Sequence, residues 1–245
     1  MGINLDHRTA IVTGGAHGIG RAACLALARY GGCVAVVDRD YLQAQAVAGE
    51  ISTFQDPVIA LEADVSDEAA VDRAVVEVIS AFGQIDILVN NAAIEILTPM
   101  VDARVEDWDR VMDTNLRGTF LFTRAVLPYM LEQKSGSIIN LGSIDGMRGR
   151  AKGAAYAASK AAVICFTESL ADEVAKYRIR ANVICPAGVN TSMWRRTHPD
   201  ADPLSVLQPE EVAEMIVFLA SDMSRAVNGA TIEVLGPRLE AGTFL

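Results

Sequence analysis

Cysteine and histidine are scarce in this sequence, and neither is arranged to bind a metal. The chain of 245 residues has four cysteines and three histidines. Cys24, Cys33, Cys165 and Cys185 lie in apolar surroundings without a Cys-x-x-Cys pair, and the histidines are scattered. This spacing predicts structural thiols and no metal site.

Basic residues and long apolar runs are also in short supply. Lysine and arginine number 21 against 31 aspartates and glutamates, for a formal net charge of −10. Binding to nucleic acid needs a concentrated excess of lysine and arginine, so we expect no such partner. No run reaches the roughly 18 apolar residues that cross a bilayer, and the residues at 1–8 are polar where a secretory signal is apolar. We therefore expect a cytoplasmic protein that does not contact membranes.

What the sequence does contain is a regular alternation of short β-branched runs and longer amphipathic segments. Hydrophobic residues make up 51% of the chain, enough to bury a large core, and no linker or repeat divides it. Such alternation predicts one α/β domain over residues 1–245, a doubly wound parallel sheet of about seven strands with helices on both faces. The predicted strands cover 10–13, 34–37, 58–62, 87–90, 137–141, 181–184 and 231–234, and the predicted helices cover 19–30, 41–51, 68–82, 105–131, 154–176 and 209–219. Residues 195–208, with two prolines, are expected to form an irregular loop that serves as a lid or substrate wall.

A glycine-rich segment lies between the first predicted strand and the first predicted helix. It runs from Thr13 to Gly20 and contains Gly14, Gly15 and Gly18. Glycines let the backbone approach a pyrophosphate, and the start of a helix offers free N–H groups and a positive dipole end. The strand, turn and helix together predict a dinucleotide site, whereas a glycine turn alone is often only a tight connection.

The end of the second predicted strand indicates which dinucleotide binds. Asp38 follows Gly20 at the distance where a carboxylate accepts hydrogen bonds from the adenosine ribose hydroxyls. The same charge would repel a 2′-phosphate, so the sequence favours NAD over NADP. Arg39 and His17 are basic groups of the kind that bind the 2′-phosphate of NADP, so NADP remains the alternative cofactor.

Three side chains further along the chain have the chemistry of a proton-transfer site. Tyr156 and Lys160 are four residues apart in a helical segment and project from one face. An ammonium beside a phenol is expected to lower the tyrosine pKa, which suits a general acid and base. Ser143 follows a strand at its carboxyl end, where ligands bind in such sheets, and its hydroxyl can hydrogen-bond a developing alkoxide.

These motifs, in this order, resemble the classical short-chain dehydrogenase/reductase family over nearly the whole chain. Besides the glycine segment, they comprise Asn90-Asn91-Ala92, Asn115 in Asp-Thr-Asn-Leu, Ser143 and the Tyr-x-x-x-Lys pair. The resemblance implies interconversion of a secondary alcohol and a ketone with a nicotinamide cofactor, in a homotetramer or dimer. It implies as catalytic residues Asn115, Ser143, Tyr156 and Lys160, with Asn115 anchoring a water next to Lys160. It implies as cofactor contacts Gly14, His17, Gly18, Ile19, Gly20, Asp38, Arg39, Asp64, Val65, Asn90, Asn91, Ala92, Tyr156, Lys160, Pro186, Gly188, Val189 and Thr191. The expected substrate contacts are Ser143, Asp145, Tyr156, Met193 and Trp194.

The sequence departs from the family's pattern at four places. Ala93 stands where a glycine usually follows the double-asparagine motif, and Ala187 separates Pro186 from Gly188. The segment after Trp194 is shorter than the usual substrate loop, and Leu-Gly-Pro at 235–237 replaces Asp-Gly-Gly. These departures do not change the predicted reaction class, but they leave the identity of the substrate undetermined.

Three functions remain as hypotheses. The leading one is an NAD-dependent dehydrogenase or reductase of small to medium alcohols and ketones. A 3-oxoacyl carrier-protein reductase using NADPH is the alternative: the acidic surface and Asp38 argue against it, and the basic Lys134, Lys176 and Arg178 argue for it. A binding protein that senses the cofactor is the third, but it would not need all four catalytic residues.

Overall fold

The computed structural model describes residues 2–55 and 57–236 of the chain. Over these residues seven strands form one sheet in which every neighbouring pair is parallel. The strands are β1 (Thr9–Thr13), β2 (Cys33–Asp38), β3 (Val58–Glu62), β4 (Ile87–Asn90), β5 (Gly136–Leu141), β6 (Ile179–Pro186) and β7 (Thr231–Val234). Their spatial order is β3-β2-β1-β4-β5-β6-β7.

Helices cover both faces of this sheet, so the predicted doubly wound architecture is confirmed. They are α1 (Gly18–Arg29), α2 (Tyr41–Ile51), α3 (Glu68–Phe82), α4 (Val105–Met112), α5 (Gly118–Gln133), α6 (Ala154–Val174), α7 (Ser192–Thr197) and α8 (Pro209–Ala220). Helices α1, α2 and α8 pack on one face and α3, α5 and α6 on the other, each over its own apolar core. Val12 and Val89 face the first core while Ile11 and Leu88 face the second. Burial on both faces explains why the strands are continuously apolar.

Two helices begin or end where the sequence predicted, and capping residues explain why. The side chain of Asp67 accepts a hydrogen bond from the backbone N–H of Ala69 and caps the start of α3. Gly83, with φ of 79°, ends that helix in the left-handed conformation that favours glycine. Helix α8 begins at Pro209 behind a reciprocal hydrogen-bonded box between Gln208 and Glu211.

Other predictions were wrong in detail. The single helix predicted over 105–131 is two α-helices joined by a π-helical turn at Asp113–Arg117. The segment 195–208, predicted to be irregular, begins inside α7 and contains a short 3-10 turn at Pro203–Ser205. Cys165 is exposed on α6 rather than in apolar surroundings. Pro237, part of the altered Leu-Gly-Pro motif, lies outside the described residues.

The strands that follow β1 in the sequence lie on both sides of it in the sheet. Strands β2 and β3 add on one side of β1, while β4 to β7 extend the other side. The loops after β1 and β4 therefore diverge at the carboxyl end of the sheet and leave a crevice there, which is where ligands bind in such folds. Within 2–55 and 57–236, no helix is long and apolar enough to cross a membrane, and no three His, Cys, Asp or Glu side chains are grouped to hold a metal ion.

Candidate active site

A cleft of about 400 Å³ opens at the carboxyl end of the sheet. It extends from the glycine turn after β1, past the end of β4, to α7. Of the predicted residues, those lining it are Gly14, His17, Gly18, Ile19, Asp38, Arg39, Asp64, Val65, Asn91, Ala92, Ser143, Asp145, Tyr156, Lys160, Pro186, Gly188, Val189, Thr191, Met193 and Trp194. Gly20, Asn90 and Asn115 do not line it but support it from behind.

The glycine turn has the shape that a pyrophosphate requires. Gly14 and Gly18 have φ of 64° and 50°, in the left-handed region. A Cβ on Gly20 would lie 2.0 Å from the carbonyl oxygen of Gly14, so only glycine fits there. Helix α1 begins with no side-chain cap and no acidic residue in its first turn, which leaves its N–H groups and dipole available to an anion. These residues fit a dinucleotide phosphate.

Asp38 lies at the end of β2, on the wall of the same cleft. Its two carboxylate oxygens accept hydrogen bonds from the backbone N–H of Ala16 at 3.1 Å and of Asp40 at 3.0 Å. These bonds fix the carboxylate next to the glycine turn. Arg39 and His17 also line the cleft, and His17 lies 3.3 Å from a carboxylate oxygen of Asp40. The cofactor site thus contains both the acidic and the basic groups that the sequence pointed to.

The two asparagines after β4 stabilise the floor of the cleft. The side-chain amide of Asn91 donates to the carbonyls of Thr13 and Gly14, at 2.9 and 3.0 Å, and so joins β4 to the glycine turn. Asn90 is buried and donates to Thr123 and Asn140. Asn90 therefore acts within the sheet, whereas Asn91 shapes the cleft itself.

Asn115 lies in the π-helical turn and is buried. Its side-chain oxygen accepts from the backbone N–H of Ile94 at 2.8 Å, and its amide donates to the Ile94 carbonyl and to the Ser159 hydroxyl. The extra residue of a π-turn shifts a side chain out of α-helical register, and such turns are frequent at functional sites. Here the turn lets Asn115 hold the loop after β4 against α6.

Ser143, Tyr156 and Lys160 come together at the centre of the cleft. Ser143, just beyond β5, lines the cleft beside the half-buried Tyr156, and its hydroxyl lowers the pKa of the phenol. The Lys160 ammonium lies 5.7 Å from the centre of the tyrosine ring and donates a 2.6 Å hydrogen bond to the carbonyl oxygen of Leu141. The spacing of four residues on α6 thus places both side chains on one face, as predicted.

The expected lowering of the Tyr156 pKa is wrong for this structure. Burial raises the pKa of the phenol, the charge of Glu95 raises it further, and the hydrogen bond from Ser143 opposes both. Lys160 does not offset them, because its ammonium points to the Leu141 carbonyl and is itself buried. Burial lowers the pKa of Lys160 to about 8. The tyrosine is therefore held in its protonated form at neutral pH.

Several cleft residues escaped the sequence analysis. Glu95 and Arg150 form an ion pair in the wall, and Arg150 Nε also lies 2.7 Å from a carboxylate oxygen of Asp145. His198, which was not predicted, stacks on the predicted Trp194 with ring centres 4.8 Å apart where α7 closes the far end. The contacts Ala63, Ala93, Ile94, Thr114, Leu141, Gly142, Ile144, Ala187, Ser192, Arg196 and Thr197 were missed as well. Glu95 and Arg150 are 55 positions apart in the sequence, so no local pattern could have predicted their ion pair.

A parallel doubly wound sheet with a glycine turn at its switch point, and a tyrosine, serine and lysine beside it, defines a nucleotide-dependent oxidoreductase. The family model described as short chain dehydrogenase matches residues 8–202. The chain belongs to the short-chain dehydrogenase/reductase family. As a member of it, the protein is an oxidoreductase that uses a nicotinamide cofactor and acts on the hydroxyl or keto group of a small molecule.

Relatives along the whole chain agree with this assignment. A 3-oxoacyl-[acyl-carrier-protein] reductase of Synechocystis sp. is 41% identical, with 95% of this chain and 97% of the relative covered. The (2S)-[(R)-hydroxy(phenyl)methyl]succinyl-CoA dehydrogenase subunit BbsD of Thauera aromatica is 35% identical, over 96% of this chain and 98% of the relative. Among solved structures, levodione reductase superposes with a TM-score of 0.89 at 32% identity, over 94% of this chain and 97% of that one.

Proposed function

We propose that the protein reduces a 3-oxoacyl thioester to the 3-hydroxy form, with NAD as the nicotinamide cofactor and Tyr156 as the proton donor. The observation that carries the proposal is that Ser143, Tyr156 and Lys160 lie together in a cleft that begins at a dinucleotide turn. When bound, the dinucleotide supplies the hydride that the substrate carbon accepts.

Four side chains act on the substrate oxygen or support the groups that do. Ser143 donates a hydrogen bond to the ketone oxygen and fixes its position. Tyr156 transfers its phenolic proton to that oxygen as the carbonyl becomes a hydroxyl. Lys160 lies beside the tyrosine and binds the cofactor's ribose. Asn115 positions the loop after β4 and anchors the water through which the proton is replaced.

The charge environment of Tyr156 suits the proton donor of a reduction. Burial and Glu95 hold the pKa of Tyr156 above its ordinary value, so the proton that a reduction needs is present at neutral pH. Oxidation of an alcohol would instead start from the phenolate, which this environment disfavours.

The thioester class follows from the relatives, and it replaces the unspecified alcohol that the charge balance favoured. The Synechocystis relative is named for a 3-oxoacyl carrier-protein substrate and the Thauera relative for a CoA thioester. Lys134, Lys176 and Arg178 are exposed basic residues that could contact an acidic carrier protein despite the net charge of −10. These facts support the alternative hypothesis over the leading one.

The preference for NAD rests on Asp38. Two backbone N–H groups hold its carboxylate at the cleft wall, where it can accept from both ribose hydroxyls and would repel a 2′-phosphate. Arg39 and His17 oppose this preference, so it is the part of the proposal that a direct comparison of the two cofactors must test.

The test is the reduction of acetoacetyl-CoA by wild type and Tyr156→Phe, followed by the absorbance of NADH and, separately, NADPH. The variant loses the transferable proton but little volume, so turnover should fall at least 100-fold, as is typical for loss of general acid catalysis. NADH affinity should change less than threefold. Tyr177→Phe, which removes an exposed tyrosine hydroxyl, is the matched control and should retain full activity. A Tyr156→Phe variant with more than a tenth of the wild-type rate would exclude the proposed proton donor.

We propose a homotetramer or dimer working in the cytoplasm as the setting for this activity. Support comes from apolar side chains that α4 and α5 leave exposed, among them Val105 at 70%, Trp108 at 41% and Phe120 at 43%. Light scattering of the purified protein measures the assembly directly, and a monomer at micromolar concentration would contradict it.

A further inference from the structure

The wall of the cleft contains three charged side chains that take no direct part in the proposed hydride and proton transfer. Arg150 lies between two carboxylates, contacting Glu95 through Nη2 and Asp145 through Nε. All three line the same cleft as Ser143 and Tyr156. We call Glu95, Asp145 and Arg150 the acidic clamp. Two carboxylates against one guanidinium leave it with an excess of one negative charge.

Burial makes this excess charge effective. The side chain of Glu95 is 7% exposed and that of Asp145 is 17% exposed. Charges in such positions are screened far less than charges on the surface. Burial also raises the pKa of Asp145, and Arg150 opposes that effect.

Each carboxylate of the clamp uses only one oxygen to contact Arg150. Within the described residues, Glu95 Oε2 and Asp145 Oδ1 accept no hydrogen bond, and both belong to side chains that line the cleft. The Arg150 side chain is 33% exposed and directs Nη2 and Nε at the two carboxylates, so its single positive charge offsets only one of them. The wall therefore offers acceptors and negative charge to whatever lies in front of it.

The electric field of the clamp reaches the reacting oxygen. After burial, the charge of Glu95 is the largest cause of the raised pKa of Tyr156; Asp145 acts in the same direction, and Arg150 acts against it. A negative charge on the substrate close to its ketone would lie in the same field.

We propose that the acidic clamp selects substrates by charge, admitting neutral 3-oxo compounds or ones that donate a hydrogen bond near the ketone, and rejecting those with a carboxylate there. This inference rests on the proposed reductase activity and narrows its substrate. A thioester or ester meets the condition because its acyl carbonyl is neutral. The corresponding free 3-oxo acid does not.

Two probes with the same reacting ketone test this selection. Ethyl acetoacetate is neutral, whereas acetoacetate carries one negative charge. Two like charges about 6 Å apart at an effective dielectric near 20 repel each other enough to change a rate constant roughly 100-fold. Wild type should therefore show a kcat/KM for the ester at least 100-fold above that for the acid.

The variants Glu95→Gln and Asp145→Asn each remove one charge at nearly constant shape. In both, the ratio of kcat/KM for the ester to kcat/KM for acetoacetate should fall at least tenfold relative to wild type. A merely structural role would lower both values together. Glu68→Gln is the matched control, because Glu68 also pairs with an arginine, Arg124, but lies outside the cleft. Its ratio should equal that of wild type.

Failure of the inference can be distinguished from failure of the proposed function. A wild type that reduces neither these two probes nor acetoacetyl-CoA, with either cofactor, would contradict the reductase proposal. In that case the clamp is tested by binding, through quenching of Trp194 in the cleft in a Trp108→Phe background that leaves no other tryptophan. The ester should bind at least tenfold tighter than the acid. Equal use or equal binding of the two probes in wild type, or an unchanged ratio in Glu95→Gln, would overturn the inference.

Discussion

Replacing Lys160 by methionine should remove the proposed activity while stabilising the folded protein at neutral pH. Lys160 is 3% exposed, and burial lowers its pKa to about 8. Because an unfolded lysine titrates near 10.4, retaining the charge in the fold at pH 7 costs about 3 kcal/mol. Methionine has a similar length and no charge. It leaves the Leu141 carbonyl without its donor, a loss of about 2 kcal/mol, so the variant should be more stable by about 1 kcal/mol.

This advantage should disappear as the pH rises. Below pH 8 the lysine is protonated in both states, so the difference between the two proteins stays constant. Between about pH 8 and 10.4 the unfolded lysine keeps its proton while the folded one has lost it. Over that window wild type gains about 1.4 kcal/mol per pH unit relative to the variant. At pH 10.5 the variant should be the less stable protein by about 2 kcal/mol, because only the lost hydrogen bond remains.

The measurement is the free energy of unfolding in urea, by circular dichroism, for both proteins from pH 7 to 10.5. Cysteines and tyrosines also titrate in this range, and the contributions common to both proteins cancel in the difference. Both proteins carry Cys185→Ala, because the charge of Lys160 lowers the pKa of that thiol. Lys176→Met, on an exposed lysine, is the control and should show a difference that does not change with pH. A difference between wild type and Lys160→Met that stays flat across the range would refute the argument that burial sets the protonation of Lys160.

Two further predictions concern the cofactor site. Wild type should prefer NAD to NADP, and Asp38→Ala should weaken NAD binding by about 1.5–3 kcal/mol and narrow or reverse the preference; a ratio of kcat/KM values that stays fixed would show that Asp38 does not contact the ribose. Gly20→Ala should lower NADH affinity at least tenfold, measured by fluorescence titration, because the added Cβ would lie 2.0 Å from the Gly14 carbonyl oxygen. Gly49→Ala, in α2 with nothing within 4 Å of the new methyl group, is its control. Equal affinities in the two glycine variants would contradict the proposed role of the turn.

Periodicity predicted the fold well because the sheet is buried on both faces. The predicted ends of β3, β4, β7, α2 and α3 agree with the structure at both ends. Continuous apolar strands and amphipathic helices are local patterns, and the fold class depends on little else. The π-helical turn was missed since Asp113-Thr114-Asn115 is compatible with an ordinary helix, and tertiary contacts of Asn115 with Ile94 and Ser159 determine the shift.

Most of the residues predicted to contact ligands line one cleft, but their electrostatics were not predicted. Spacing on α6 correctly placed Tyr156 and Lys160 together, yet their protonation depends on burial and on partners that the spacing does not show. Lys160 binds a strand carbonyl, and Glu95 approaches Tyr156 from another loop. Both contacts arise only when distant segments fold together, and this is why the sign of the tyrosine pKa shift could not be predicted from the sequence.

The order of the strands has a consequence for how the protein reaches its native state. Strand β1 is the first to be synthesised, yet it lies inside the sheet between β2 and β4, and its contact with β4 joins residues 10–12 to 87–89. Parallel pairing of this kind closes a long loop before it yields stabilising contacts, so it is intrinsically slow. The cleft also needs residues from Gly14 to His198. We therefore expect a nascent chain to acquire cofactor affinity only after the segment up to His198 has been made, rather than once the glycine turn has emerged.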